Sequence, residues 1–182
     1  GEKCSSSEDV ERLREDARKA AGIMGVEDTV FFDFPDNRMD RVDLLDVVQA
    51  VESCIHRFLP KIVYTHHEGD LNIDHSMVTR AVVTATRPQP GQTVEEVYAF
   101  EVLSSTEWAF HRSDHTFSPN CFLGIEHHLD RKLKAMSIYD TETRPFPYPR
   151  SPEAIRSLAR LRGSQAGLEA AEAFRLIRRI SK

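Results

Sequence analysis

An alternation constrains this chain more than any other feature. Stretches with helical spacing take turns with short apolar runs, and polar loops close those runs. Val10, Leu13, Ala17, Ala20 and Met24 recur every three or four residues, so residues 5–24 read as an amphipathic helix. Ser5 and Glu8 form a capping-box pair at its start, and Gly25 is placed to end it. Thr29-Val30-Phe31-Phe32 then reads as a strand over about 29–33, stopped by Pro35-Asp36-Asn37. A second helix is expected over 41–57, a strand over 61–65 and a third helix over 73–86. Helix, strand, helix, strand, helix is the order of an α/β layer structure with a mainly parallel sheet. Short apolar strands with little alternation suit a sheet with helices on both faces. Ligands of such sheets gather at the carboxyl ends of the strands. The polar loops 35–40 and 66–75 are therefore expected to open on one shared edge.

Beyond residue 87 the pattern loosens. Residues 94–102 read as a strand, 126–139 as a helix, and 152–162 as a helix ending at Gly163. Residues 171–180 fit helix or strand equally. At 182 residues the chain fits one domain. A net charge of −5, from 24 Lys and Arg against 29 Asp and Glu, argues against a broad nucleic-acid surface. No run approaches the length of a membrane span, and no signal peptide is visible. Cys4, Cys54 and Cys121 make neither a disulfide framework nor a paired zinc motif, so a reducing, cytoplasmic compartment is the default.

The strongest chemical signal is Tyr64-Thr65-His66-His67-Glu68-Gly69-Asp70-Leu71-Asn72-Ile73-Asp74-His75. His66, His67, Asp74 and His75 are four groups able to bind a metal or move a proton, at a strand-to-helix junction. Imidazole with carboxylate suits Zn²⁺ and similar ions. Asp74 cannot share a helix face with its neighbour His75, but it can hold a nearby ring in place. The plainer reading is a helix N-terminus with a favourable first-turn charge and exposed histidines. Asp36, Asn37 and Arg38 suit hydrogen bonds to sugar hydroxyls, or a plain Asx turn. Ser105, Thr106, Glu107 and Trp108 suit a wall against a sugar ring, or a structural loop with Trp108 in the core. His111 and His115 read as surface histidines in a loop, and His127 and His128 as solvent-facing. Cys121 reads as a small buried hydrophobe. Arg175, Arg178 and Arg179 read as a solvated face or a homo-oligomer contact.

The histidine loop resembles the second metal motif of the PIG-L/LmbE-like zinc-dependent de-N-acetylases. Asn72-Ile73-Asp74-His75 matches the family's His-x-Asp-His element. Similar elements recur in order: Phe34-Pro35-Asp36-Asn37-Arg38, residues 100–108, Phe117-Ser118-Pro119-Asn120, Pro149-Arg150-Ser151, Arg162-Gly163 and Ala171-Glu172-Ala173-Phe174. The resemblance implies a single Rossmann-like domain over 1–182 and zinc-dependent hydrolysis of the N-acetyl group of an amino sugar or its conjugate, releasing acetate. It implies His75 as the zinc ligand and Asp74 as the supporting carboxylate of a relay. Asn72 departs from the family histidine, and His66 or His67 is expected to supply that imidazole. Asp36, Asn37, Arg38, Asn72 and Trp108 are the expected substrate contacts.

The family's first motif, His-Pro-Asp-Asp-Glu, is not in the sequence. It supplies two zinc ligands and the catalytic aspartate. The chain is therefore expected to be an N-terminally incomplete enzyme, lacking a β-α-β unit and inactive alone. The rival is a degenerate relative that binds carbohydrate or serves assembly without a metal site. A metal-dependent phosphate-ester hydrolase is a third alternative.

Overall fold

The computed structural model describes residues 7–110 and 116–181. His111, His115, Ser5 and Cys4 lie outside the described residues. Helix α1 spans Ser7–Met24, α2 Leu44–Phe58, α3 Ile73–Ala85, α4 Leu129–Met136 and α5 Pro152–Ser164. Strand β1 spans Ile62–His66, β2 Glu96–Phe100, β3 Cys121–Gly124 and β4 Ala171–Arg179, with a 3-10 turn at Met39–Arg41. The strands form one sheet in the order β1-β2-β4-β3. The chain divides into two compact units, one of residues 1–33 and 122–172, the other of 34–121 and 173–182.

The second unit carries the histidine loop. Its core is built from Met39, Val47, Val48, Ile55, Ala81, Val82, Ala85, Val94 and Val97. Helices α2 and α3 pack on each other, and α3 packs on β1. β1 and β2 run parallel, Ile62 opposite Glu96 and His66 opposite Phe100. β2 and β4 run antiparallel, with an irregularity between Val97 and Tyr98. The sheet is thus mixed rather than mainly parallel, because the last strand returns against β2. Residues 171–180, undecided by pattern, are strand because they find this partner. β1 also alternates: Thr65 is buried and Val63 packs on the core, while Ile62 and Tyr64 are about half exposed. Tyr64 stacks on Tyr98 at 5.4 Å, and Phe174 leans on it at 5.1 Å.

In the first unit α1 packs on α4, and Ile125, Leu129, Ala159 and Ala170 form a small core. Gly25, at φ 77°, ends α1 as the sequence predicts. Gly163 does not end α5, which continues to Ser164. A Cβ there would stand 2.6 Å from the Leu168 carbonyl oxygen, so the glycine permits a close backbone approach. Residues 29–33 form no strand. β3, in contrast, has no counterpart in the sequence pattern: Cys121, which reads there as a buried hydrophobe, opens it and is only half-buried.

Candidate functional site

The site begins where β1 hands over to α3. Asn72 caps α3, its side-chain oxygen accepting from the Asp74 N–H at 2.9 Å. The Thr79 hydroxyl, buried one turn on, reaches the carbonyls of both His66 and His75 at 2.8 Å. It pins the strand end to the first turn of the helix. The His66 and His75 rings then stack with centroids 4.1 Å apart, and Phe100 tilts against His66 at 4.9 Å.

The carboxylate on His75 is Asp70. Its side chain has no solvent exposure, and its oxygen lies 2.8 Å from His75 Nδ1. Thr106 donates to the other oxygen at 2.6 Å. Ser105 Oγ lies 3.4 Å from the same His75 nitrogen and accepts from the Asn72 N–H at 3.3 Å. Asp74, expected to support an imidazole, accepts instead from the backbone N–H groups of Asn37 at 2.6 Å and Met39 at 3.0 Å. It thereby joins the loop 35–40 to the start of α3, so the two polar loops meet, although residues 29–33, expected to lead into the first of them as a strand, form none.

The other expected residues separate. His66 lies in the cluster, stacked on His75; His67 is 2% exposed and its ring meets the edge of Phe117 at 5.3 Å. Burial first, and the neighbouring His75 second, push His66 down to about 4, so its ring is neutral at physiological pH. Its Nδ1 is buried without a hydrogen-bond partner. Asp36, Asn37 and Arg38 are exposed. Asn37 sits at φ 54°, and its side-chain amide donates to the Asp36 carboxylate at 2.9 Å. Trp108 is 40% exposed and not in the core. Outside this cluster, the His127 side chain is exposed, and Arg179 pairs with Glu96 at 3.2 Å.

Asp70 and Ser105, the neighbours of His75 Nδ1, and Thr106, the donor to Asp70, are roles that sequence reasoning missed. Asp70 stood within the quoted motif, but Thr106 lies 36 residues further on. No local pattern links them.

A metal site needs more than this. Among the described residues no group of three or more His, Cys, Asp or Glu side chains stands placed to hold an ion. His75 by itself suits a ligand, because Asp70 takes Nδ1 and leaves Nε2 to coordinate. A catalytic zinc takes three protein ligands, so these residues do not form the site by themselves. No helix among the described residues is long and apolar enough to cross a membrane.

Residues 1–86 match the family model described as PIG-L, GlcNAc-PI de-N-acetylase. The uncharacterized deacetylase YaiS of Escherichia coli K12 is 29% identical over 128 residues, covering 67% of this chain and 62% of its own length. The chain thus spans about three fifths of that relative, 62%. Three solved structures share the fold, each with a TM-score of 0.73. A conserved protein of Thermus thermophilus is 21% identical, over 94% of this chain and 75% of its own. The 4-carboxy-2-hydroxymuconate hydratase GalB of Pseudomonas putida is 23% identical, over 100% and 78%. The N,N'-diacetylchitobiose deacetylase of Pyrococcus horikoshii is 15% identical, over 97% and 67%. One fold thus carries both a hydratase and a deacetylase, so the fold alone does not select the reaction.

Proposed function

We propose that the chain is a deacetylase of the PIG-L family, whose model matches residues 1–86, and that it hydrolyses the N-acetyl group of an amino sugar or an amino-sugar conjugate, releasing acetate and a free amine. The observation that carries the reading is the Asp70–His75 pair at the start of α3, inside the segment that matches the family model. A carboxylate on Nδ1 leaves Nε2 as the nitrogen available for chemistry.

In this reading zinc is the cofactor and His75 the ligand from the described residues; the ion's contribution is to polarise the acetamide carbonyl and acidify a water. His66 is favoured over His67 as the imidazole that replaces the one Asn72 lacks, because it lies ring on ring with His75. A neutral His66 accepts a proton from a reacting group and returns it to the leaving amine. Asp74 fixes the loop 35–40, so Asp36, Asn37 and Arg38 are presented beside the cluster for sugar hydroxyls. Trp108, partly exposed, offers an indole face to a pyranose ring. Cys54 and Cys121, free thiols among the described residues, suit a reducing, cytoplasmic compartment.

The test is acetate release from a panel of N-acetylated amino sugars and conjugates with added zinc. His75→Ala is expected to lower both bound zinc and turnover sharply. Asp74→Asn is expected to keep His75 in place yet lower turnover, since the loop 35–40 loses its anchor. Unchanged zinc stoichiometry in His75→Ala would defeat the ligand assignment. Sugar binding by calorimetry without acetate release from any substrate would favour a non-catalytic carbohydrate-binding protein. Turnover of phosphate esters alone would favour the phosphoesterase alternative.

A further inference from the structure

We propose that Thr106 is a positioning residue for His75, acting through Asp70 to hold the imidazole in a single tautomer. The consequence for turnover rests on the deacetylase reading; the tautomer itself does not.

A carboxylate withdrawn from water is tolerated when donors meet both its oxygens. Asp70 is such a group, with no side-chain exposure. His75 Nδ1 meets one oxygen at 2.8 Å and Thr106 Oγ1 the other at 2.6 Å. The direction of the Thr106 bond is fixed by a third contact. The same hydroxyl oxygen accepts from the Val102 N–H at 2.7 Å. A hydroxyl has one proton, so with that lone pair used the proton goes to Asp70. An ionised Asp70 only accepts, and the proton on its other oxygen must come from His75 Nδ1. His75 is then the Nδ1–H tautomer, with its lone pair on Nε2. Ser105 Oγ, at 3.4 Å from Nδ1, is too distant to compete.

The backbone after β2 is shaped to present this hydroxyl. Ser105 and Thr106 both donate their N–H to the Val102 carbonyl, at 3.1 and 2.9 Å. Ser104 takes φ 67° at the bend, and its N–H is held by Glu107 at 2.6 Å. The Ser105 carbonyl accepts from Leu71 N–H at 3.3 Å, which keeps the loop against Asp70. Without the Thr106 hydroxyl the Asp70 carboxylate loses the donor that orients it. It is then free to turn toward Ser105, and its grip on Nδ1 loosens.

The experiment is long-range ¹⁵N–¹H correlation on the ¹⁵N-labelled full chain at pH above the imidazole range, with His75 identified by loss of its signals in His75→Gln. The wild type is expected to show Nδ1 at the protonated shift and Nε2 at the unprotonated one. In Thr106→Val, which keeps the shape and removes the hydroxyl, both shifts should move toward their average. Thr106→Ser should restore the wild-type pattern. If Thr106→Val fails to fold, Asp70→Asn reads the same displacement. In acetate release Thr106→Val should lower kcat about tenfold with KM unchanged. An Nε2–H tautomer in the wild type overturns the proposal, as does an unmoved spectrum in folded Thr106→Val or Asp70→Asn. A wild type that releases no acetate overturns the deacetylase reading instead, and the tautomer result still decides the role of Thr106.

Discussion

Two apolar runs of nearly the same composition meet opposite fates in this chain. Thr29-Val30-Phe31-Phe32 and Ile62-Val63-Tyr64-Thr65 each hold β-branched and aromatic residues and each leads to a polar loop. The second is β1, laddered to β2 along its whole length. The first pairs with no strand among the described residues; Phe31 lies instead under the guanidinium groups of Arg14 and Arg18, at 5.7 and 5.0 Å. Asp33 accepts from Arg14 as well. β-propensity describes fitness for a pleated, half-buried surface and creates no partner. The difference carries through to the loops. After β1 the chain turns inward, and Asp70, Asn72, Asp74 and His75 all make specific bonds. The loop 35–38 stays exposed.

The sharpest way to break this contrast is to place one charge in each region. Val97 on β2 is 1% exposed and directly opposite Val63. Val97→Asp buries a carboxylate without a partner and should cost about 3–5 kcal/mol, lowering the urea midpoint steeply. Thr29→Asp, at the exposed start of the run 29–32, should change stability by about 0.5 kcal/mol or less. Equal losses in the two variants would mean that residues 29–32 are packed as a strand after all.

A second contrast is titratable. β1 ends in His66, whose ring binds a proton only near pH 4 when folded, against about 6.5 when unfolded. Between those values the unfolded chain binds more protons, so stability falls as pH drops from about 6.5 to about 4. The shift is worth up to about 3 kcal/mol. His66→Phe, which keeps a ring beside Phe100, should flatten that part of the stability-pH curve. The measurement is urea unfolding from pH 7 to 4 on both proteins. Parallel curves would remove His66 as the source.

Local grammar was enough for the helices and for two of the strands. Helical spacing placed α1, α2, α3 and α5 to within a few residues, and strand-forming runs placed β1 and β2. Pairing was not legible. Residues 29–33 and 121–124 differ in whether the chain returns beside them, and sequence spacing does not hold that information. The same division runs through the site. His75 and the junction that carries it stood out, because imidazoles and carboxylates crowd one loop. The assignment of carboxylates did not, since Asp70 and Asp74 are chemically alike and only four residues apart. What distinguishes them is which donors arrive from elsewhere: Thr106 for Asp70, the backbone of Asn37 and Met39 for Asp74.

The smallest expected effect bears on what holds the unpaired run. If Phe31 is held by its ring rather than by strand pairing, its ring face is what matters. Phe31→Ile keeps an apolar, strand-forming side chain and removes the π face beneath Arg14 and Arg18. Each cation–π contact at an exposed site contributes about 0.5–1 kcal/mol. The two guanidinium groups share one ring, and Arg14 retains Glu11 and Asp33, so the combined loss should stay near ~1 kcal/mol. Phe31→Tyr keeps the face and should lose almost nothing. A run governed by β-propensity would rank these variants differently, because isoleucine is as good a strand former as phenylalanine or tyrosine. Chemical denaturation of the three proteins separates the accounts: equal midpoints for isoleucine and phenylalanine at position 31 would show that the guanidinium contacts hold nothing in place.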